Sequence, residues 1–137
     1  MSKFETKHLP EDWDELAPDG SRVRKLLRAE AGDMAHFEMP PGEVSTAEIH
    51  PEFEELWYFV AGQGEMWRKQ GDREELVEVK SGVGISIPKN TVFQFRSFGD
   101  VSLEAIGVTM PPWSGESSVI NVQGIWEPTV GKLAKPQ

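Results

Sequence analysis

The sequence predicts an all-β domain, a sandwich or closed antiparallel barrel, and three observations carry that prediction. Apolar residues recur mostly at period two. Turn signals built on Gly, Pro, Asn and Asp cut the chain into about eight to ten short strands. Helix-period apolar runs are missing throughout. At 137 residues the chain is the size of one ordinary domain, with enough apolar content to bury a core.

The elements follow from the punctuation. Residues 1–19 form an acidic opening with one helical turn expected over 11–16, after Pro10, and carry no assigned chemistry. Asp19-Gly20 is a turn, and residues 23–28 alternate as a first strand. Ala31-Gly32-Asp33 turns into a second strand over 34–39, stopped by Pro40-Pro41-Gly42. Strands are then expected over 64–68 and 75–79 as a hairpin about Gln70-Gly71-Asp72. Ser81-Gly82 leads to a strand over 83–87, and Pro88-Lys89-Asn90 to one over 91–96. Gly99-Asp100 precedes a long strand over 101–110, ended by Pro111-Pro112. The tail holds a short strand over 119–122, anchors at Ile125 and Trp126, and a loose last ten residues. The resulting organisation is an arm over 1–20, a barrel over 21–126 and a tail over 127–137.

A formal net charge of −9 argues against a nucleic-acid partner, which needs a basic surface to displace counterions, and against an anionic membrane surface. The absence of cysteine removes disulfides and thiolate metal sites and fits a reducing cytoplasm. No run approaches membrane-spanning length, and the start has no apolar leader. The expectation is a cytoplasmic protein with a small-molecule ligand.

The central stretch, GEVSTAEIHPEFEELWYFVAGQG over 42–64, concentrates the chemistry. Glu48 and His50 are two apart in a strand and so share a face, and Glu55 leads what is expected to be the neighbouring, paired strand. Carboxylate and imidazole groups converging there suit either a metal ion or proton transfer. Plain polar positions on a sheet would look the same.

The spacing resembles that of the cupins. Their first motif is Gly, five residues, His-x-His, three or four residues, Glu, six residues, Gly; here Gly42, Glu48-Ile49-His50, Glu55 and Gly62 keep that spacing. Their second motif is Gly, five residues, Pro-x-Gly, two residues, His, three residues, Asn. Gly82, Pro88-Lys89-Asn90, Phe93 and Ser97 stand at those places. The resemblance implies a jelly-roll β-barrel of two packed antiparallel sheets, a homodimer, and a ligand site inside the barrel mouth.

The same resemblance implies a metal held by three histidines and a glutamate, of which His50 and Glu55 are unchanged. Glu48 replaces the first histidine, and Phe93 replaces the third with a ring that cannot ligate. Glu48, His50 and Glu55 then form a carboxylate-rich set suited to Mn, Fe(II) or Mg. Without a cation, burial and mutual repulsion would raise at least one carboxylate pKa.

Trp57 and Phe59 share the face of Glu55, and Phe95 that of Phe93; these rings are expected to line the ligand pocket or simply fill the core. Glu52 and Glu54 read as solvated charges. His36 reads as a satisfied or exposed histidine with no role in the site, and His8 is assigned nothing. Trp67 and Arg68 lie on opposite faces, and Gln94 and Arg96 on the outer one. The segment over 110–116 is a barrel-closing connection or a lid plugged by the Trp113 ring. Ser86 and Ser97 lack a paired histidine, so nucleophilic hydrolysis is disfavoured.

Two functional readings stay open. One is an enzyme in which His50 and Glu55 are catalytic, either beside a metal as an isomerase, epimerase or oxygenase, or metal-free by proton transfer next to a carbonyl. The other is a metal-free barrel acting as a non-catalytic binding or sensing module.

Overall fold

The computed structural model describes residues 3–115 and 118–130. Among these residues eleven strands form two antiparallel sheets. They are β1 (Glu15–Leu16), β2 (Arg22–Arg28), β3 (Asp33–Met39), β4 (Ala47–Ile49), β5 (Glu54–Ala61), β6 (Gln63–Gln70), β7 (Arg73–Lys80), β8 (Gly84–Ile87), β9 (Val92–Phe98), β10 (Leu103–Met110) and β11 (Ile120–Val122). One sheet runs β1-β2-β3-β10-β5-β8, the other β11-β4-β9-β6-β7. The predicted all-β, two-sheet architecture is thus the one observed. No helix among the described residues is long and apolar enough to cross a membrane.

Period-two patterning sets which side chains meet between the sheets. On β5, Glu55, Trp57 and Phe59 are buried while Glu54, Leu56, Tyr58 and Val60 are exposed. The inward rows of β5, β6, β8, β9 and β10 close a core of Trp57, Phe59, Met66, Ile85, Ile87, Phe93, Phe95 and Leu103. Each large side chain here stabilises the fold by roughly 1.5–3 kcal/mol relative to an exposed position. Gly107, on the inward row of β10, leaves room that a Cβ would fill, and Phe37 and Trp57 stack over it with ring centroids 5.0 Å apart.

Three expectations are corrected. Residues 11–16 form no helical turn; Glu15 and Leu16 extend instead to pair with Val23 and Arg22 at the sheet edge. The arm is thereby part of the sheet. Next, β4 and β5 are not paired: β4 lies between β11 and β9, and β5 between β10 and β8, so Glu55 meets Glu48 and His50 from the facing sheet. Pro51 breaks the strand and sends the chain across. Finally, the tail is anchored as far as it is described. Thr129 N–H donates to the Val44 carbonyl and Val130 is buried, while residues 131–137 lie outside the described part.

The tail also explains Gln94. It sits on the outer side of β9 as expected, yet it is fully buried, because residues 124–126 cover it. Its Nε2 donates to the Ser45 and Trp126 carbonyls, and its Oε1 accepts from Ile125 and Trp126 N–H groups. Arg96 pairs with Glu65 at 2.7 Å and lies over the Trp126 ring.

Candidate functional site

A cavity of about 230 Å³ opens between the sheets at the end where β4 finishes and β5 begins. Glu48, His50, Glu55, Thr109 and Asp19 line it beside Trp57, Phe37, Val23, Leu16 and Leu27. The polar groups gather where inward-facing rows end, and the apolar side chains form the walls, the usual composition of a small-molecule site.

Glu48 on β4 and His50 just past its end both turn inward, and Glu48 Oε1 lies 2.9 Å from His50 Nε2. Phe53 stacks on the imidazole with centroids 4.2 Å apart, and Phe93 meets it edge-on at 5.1 Å. Glu55 is held from both sides: Trp57 Nε1–H donates to Oε1 at 2.9 Å and Thr109 O–H to Oε2 at 2.6 Å. Glu48 Oε2 and His50 Nδ1 are buried without a hydrogen-bond partner. The polar capacity of the pair is therefore only half used.

Electrostatics follow from that burial. Desolvation, then the nearby Asp19 and Glu55 carboxylates, push Glu48 up to about 10, so it carries a proton at neutral pH. His50 is pushed down by burial against the pull of Glu55 and Asp19, which leaves the imidazole neutral. Glu55 is raised by desolvation although His50 and its two donors favour the charged form. Asp19 is raised by burial as well, opposed by its bonds to Ser21.

The pair can hold its shared proton in two ways. Glu48 Oε1–H donates to Nε2 with the single imidazole proton on Nδ1, or Nε2–H donates to Oε1 with the carboxyl proton on Oε2. Either way the outer atoms form one donor and one acceptor.

A divalent ion needs three or four donors turned on one point. Both Glu55 oxygens are engaged by Trp57 and Thr109, the facing atoms of Glu48 and His50 are engaged with each other, and Phe93 occupies the remaining place. Among the described residues no group of three or more His, Asp or Glu side chains is arranged to hold a metal ion. Glu48, His50 and Glu55 come together in one cavity, as the sequence predicts, but their donor atoms do not fit a cation.

Of the four rings expected at the pocket, Trp57 lines it; Phe59, Phe93 and Phe95 lie in the core behind. Trp113 stands at the mouth, its ring edge-on to Phe53 at 5.7 Å, and its backbone N–H donates to Asp33 Oδ2. His36 is a buried structural histidine, 2.7 Å from Glu104.

Sequence reasoning missed Asp19 and the wall formed by residues 15–18 and 25–28. Asp19-Gly20 reads as an ordinary turn, and only the pairing of β1 with β2 brings it into the cavity. The β2 register breaks between Lys25 and Arg28, a bulge that local spacing does not announce.

The model of the cupin domain matches residues 29–109, which is more than half of the chain. The chain belongs to the cupin family. This cupin is 30% identical over 123 residues to the uncharacterised protein MJ1618 of Methanocaldococcus jannaschii, covering 83% of this chain and 95% of that one. Among solved structures it resembles Pac13, a nucleoside dehydratase from Streptomyces, with a TM-score of 0.69, 17% identity and coverage of 91% and 95%. Oxalate decarboxylase of Bacillus subtilis aligns with a TM-score of 0.71 and 15% identity, over 89% of this chain and 33% of that one. At these identities the structural likeness concerns the fold of this cupin.

Proposed function

We propose that this cupin binds a small organic molecule in the barrel and moves a proton on it without a metal, as an isomerase, epimerase or dehydratase does. The observation that carries the reading is the buried Glu48–His50 pair, a protonated carboxyl against a neutral imidazole at 2.9 Å with both outer atoms unpartnered. Such a pair works as acid and base at once. His50 Nδ1 takes a proton from the carbon beside a substrate carbonyl, Nε2–H passes to Glu48 Oε1, and Glu48 Oε2–H protonates the carbonyl oxygen. The substrate leaves this step as an enol, with every proton accounted for. Return of a proton to a different face or carbon gives epimer or isomer; loss of a β-hydroxyl as water gives the unsaturated product.

Catalysis by enzymes of this fold supports the reading, since one structural neighbour is a nucleoside dehydratase. Glu55, bound to Trp57 and Thr109, is better suited to positioning than to proton shuttling. A panel of cyclic ketones and β-hydroxy carbonyl compounds in D2O, followed by proton NMR, tests the proposal. Deuterium incorporation or water loss with wild type, abolished by both Glu48→Gln and His50→Gln, is expected. Binding without exchange across the panel would instead favour a sensing module.

The homodimer implied by the cupin resemblance is part of the proposal. A row of exposed apolar side chains on the outer face of β5, with Leu56 52% and Tyr58 54% exposed, supports it. Light scattering of wild type against Tyr58→Lys separates dimer from monomer.

A further inference from the structure

Four ionisable side chains share the inner cavity, and the acid–base pair with Glu55 accounts for three of them. We infer that Asp19 is a ligand-binding residue, accepting a hydrogen bond from a neutral, ring-bearing compound that presents hydroxyl groups. This rests on the small-molecule reading above and goes on to the chemistry of the molecule.

Asp19 is built as an oriented acceptor. It is 3% exposed and lines the cavity with Glu48 and His50. Its Oδ1 accepts both the N–H and the O–H of Ser21, at 2.8 and 2.7 Å, while its own carbonyl accepts the Thr46 N–H. Its Oδ2 has no hydrogen bond among the described residues. Fixing one oxygen leaves the other free in a set direction. Glu48 Oε2 and His50 Nδ1, each buried and unpartnered, are further groups for a ligand to satisfy.

The lining also restricts the charge of the ligand. Its cations are Lys25 and Arg28, both well exposed at the rim and paired with Glu15 and Asp33. At the inner end an anion would meet the Asp19 and Glu55 carboxyl groups with no buried counter-charge, a costly arrangement. A hydroxyl group, which both donates and accepts, suits Asp19 Oδ2 and the outer atoms of the Glu48–His50 pair. The walls are apolar and include the Phe37–Trp57 stack, and 230 Å³ is below the roughly 300–1,000 Å³ of drug-sized sites, which fits one substituted ring.

The test is calorimetric titration of the full chain, wild type and Asp19→Asn, with resorcinol, 1,3-dimethoxybenzene and benzoate. Resorcinol is expected to bind wild type and to bind Asp19→Asn roughly ten-fold more weakly or worse, because the amide places an N–H where Oδ2 was. Dimethoxybenzene, which only accepts, is expected to gain on the same substitution. That reversal would not come from a merely structural aspartate. Equal resorcinol affinity in the two proteins, or benzoate binding more tightly than resorcinol, would overturn the inference and leave the cavity as a binding site. Failure of all three probes on wild type would overturn the small-molecule reading with it. Should circular dichroism show Asp19→Asn unfolded, Ser21→Ala takes its place: removing one of the two bonds that aim the carboxylate is expected to weaken resorcinol roughly three-fold, and an unchanged affinity would overturn the proposal.

Discussion

Phe93 stands directly opposite Glu48 in the β4–β9 ladder, fully buried and edge-on to His50. A ring therefore fills the place from which a fourth side chain would reach the Glu48–His50 pair. Its effect is to keep the pair dry, and desolvation is the largest cause of the raised Glu48 pKa and of the lowered one of His50.

Phe93→His would place a second imidazole against the pair. The exchange is expected to cost about 1–3 kcal/mol through lost packing and a newly buried polar group. It is also expected to create near-stoichiometric uptake of Zn or Ni where wild type takes up none. Plasma mass spectrometry of tag-free protein, loaded with Mn, Fe(II), Ni or Zn, reads this directly. Stoichiometric metal in wild type, lost on Glu55→Gln, would sink the metal-free reading.

The pH dependence of stability has a defined sign. Folded Glu48 keeps its proton up to about pH 10, while the unfolded chain releases it near 4.5. Between those limits the native state binds more protons, so stability falls as pH rises, by up to about 1.4 kcal/mol per unit from this group. The raised Asp19 and Glu55 steepen the fall above their unfolded values. His50 acts oppositely but only below its unfolded value of 6.5, so the interval from pH 7 to 9 isolates the carboxyls. Glu48→Gln keeps the shape and cannot ionise. Urea titrations at pH 7 and pH 9 are expected to show a shallower loss for the variant, with its advantage growing toward pH 9; parallel losses would contradict the assignment.

How much of this was legible in the sequence depended on distance along the chain. The Gly42 to Gly62 spacing and the period-two rows placed Glu48, His50, Glu55 and Trp57 in one cavity, because strand alternation is a local rule. Asn90 shows the same logic: it stands where the cupin motif has glycine and takes the positive φ of 65° itself. The sheet partner of β5 was not legible, since Pro51 marks a break without saying where the chain goes next. Nor was the burial of Gln94, which depends on residues 124–126 folding back over β9. Asp19 was hidden for the same reason, its role set by β1 pairing at the sheet edge and by contacts with the far end of the chain.

One of those contacts is strong enough to predict from. Gly20 has φ of 96°, and a Cβ there would fall inside the Val130 side chain. Gly20→Ala is expected to destabilise the fold by more than about 2 kcal/mol, combining backbone strain with the clash. Adding Val130→Ala should recover part of that loss and not all, because the strain remains. Thermal unfolding of the single and double variants measures both terms, and full recovery in the double variant would show that the conformation costs nothing.

Trp113 gives the last expectation. Its ring stands over the cavity mouth against Phe53, and its N–H is tied to Asp33 Oδ2 at 2.9 Å. Asp33 is also 3.6 Å from Arg28, so one carboxylate holds both the plug and the rim. Trp113→Ala removes the ring and keeps the backbone bond; Asp33→Asn keeps the ring and weakens its anchor. If the ring closes the mouth, both variants should release bound resorcinol faster, Trp113→Ala by roughly ten-fold and Asp33→Asn by less, with the on-rate nearly unchanged. Stopped-flow fluorescence on the remaining tryptophans would separate the two rates. A change confined to the on-rate would mean that Trp113 shapes entry and does not hold the ligand in.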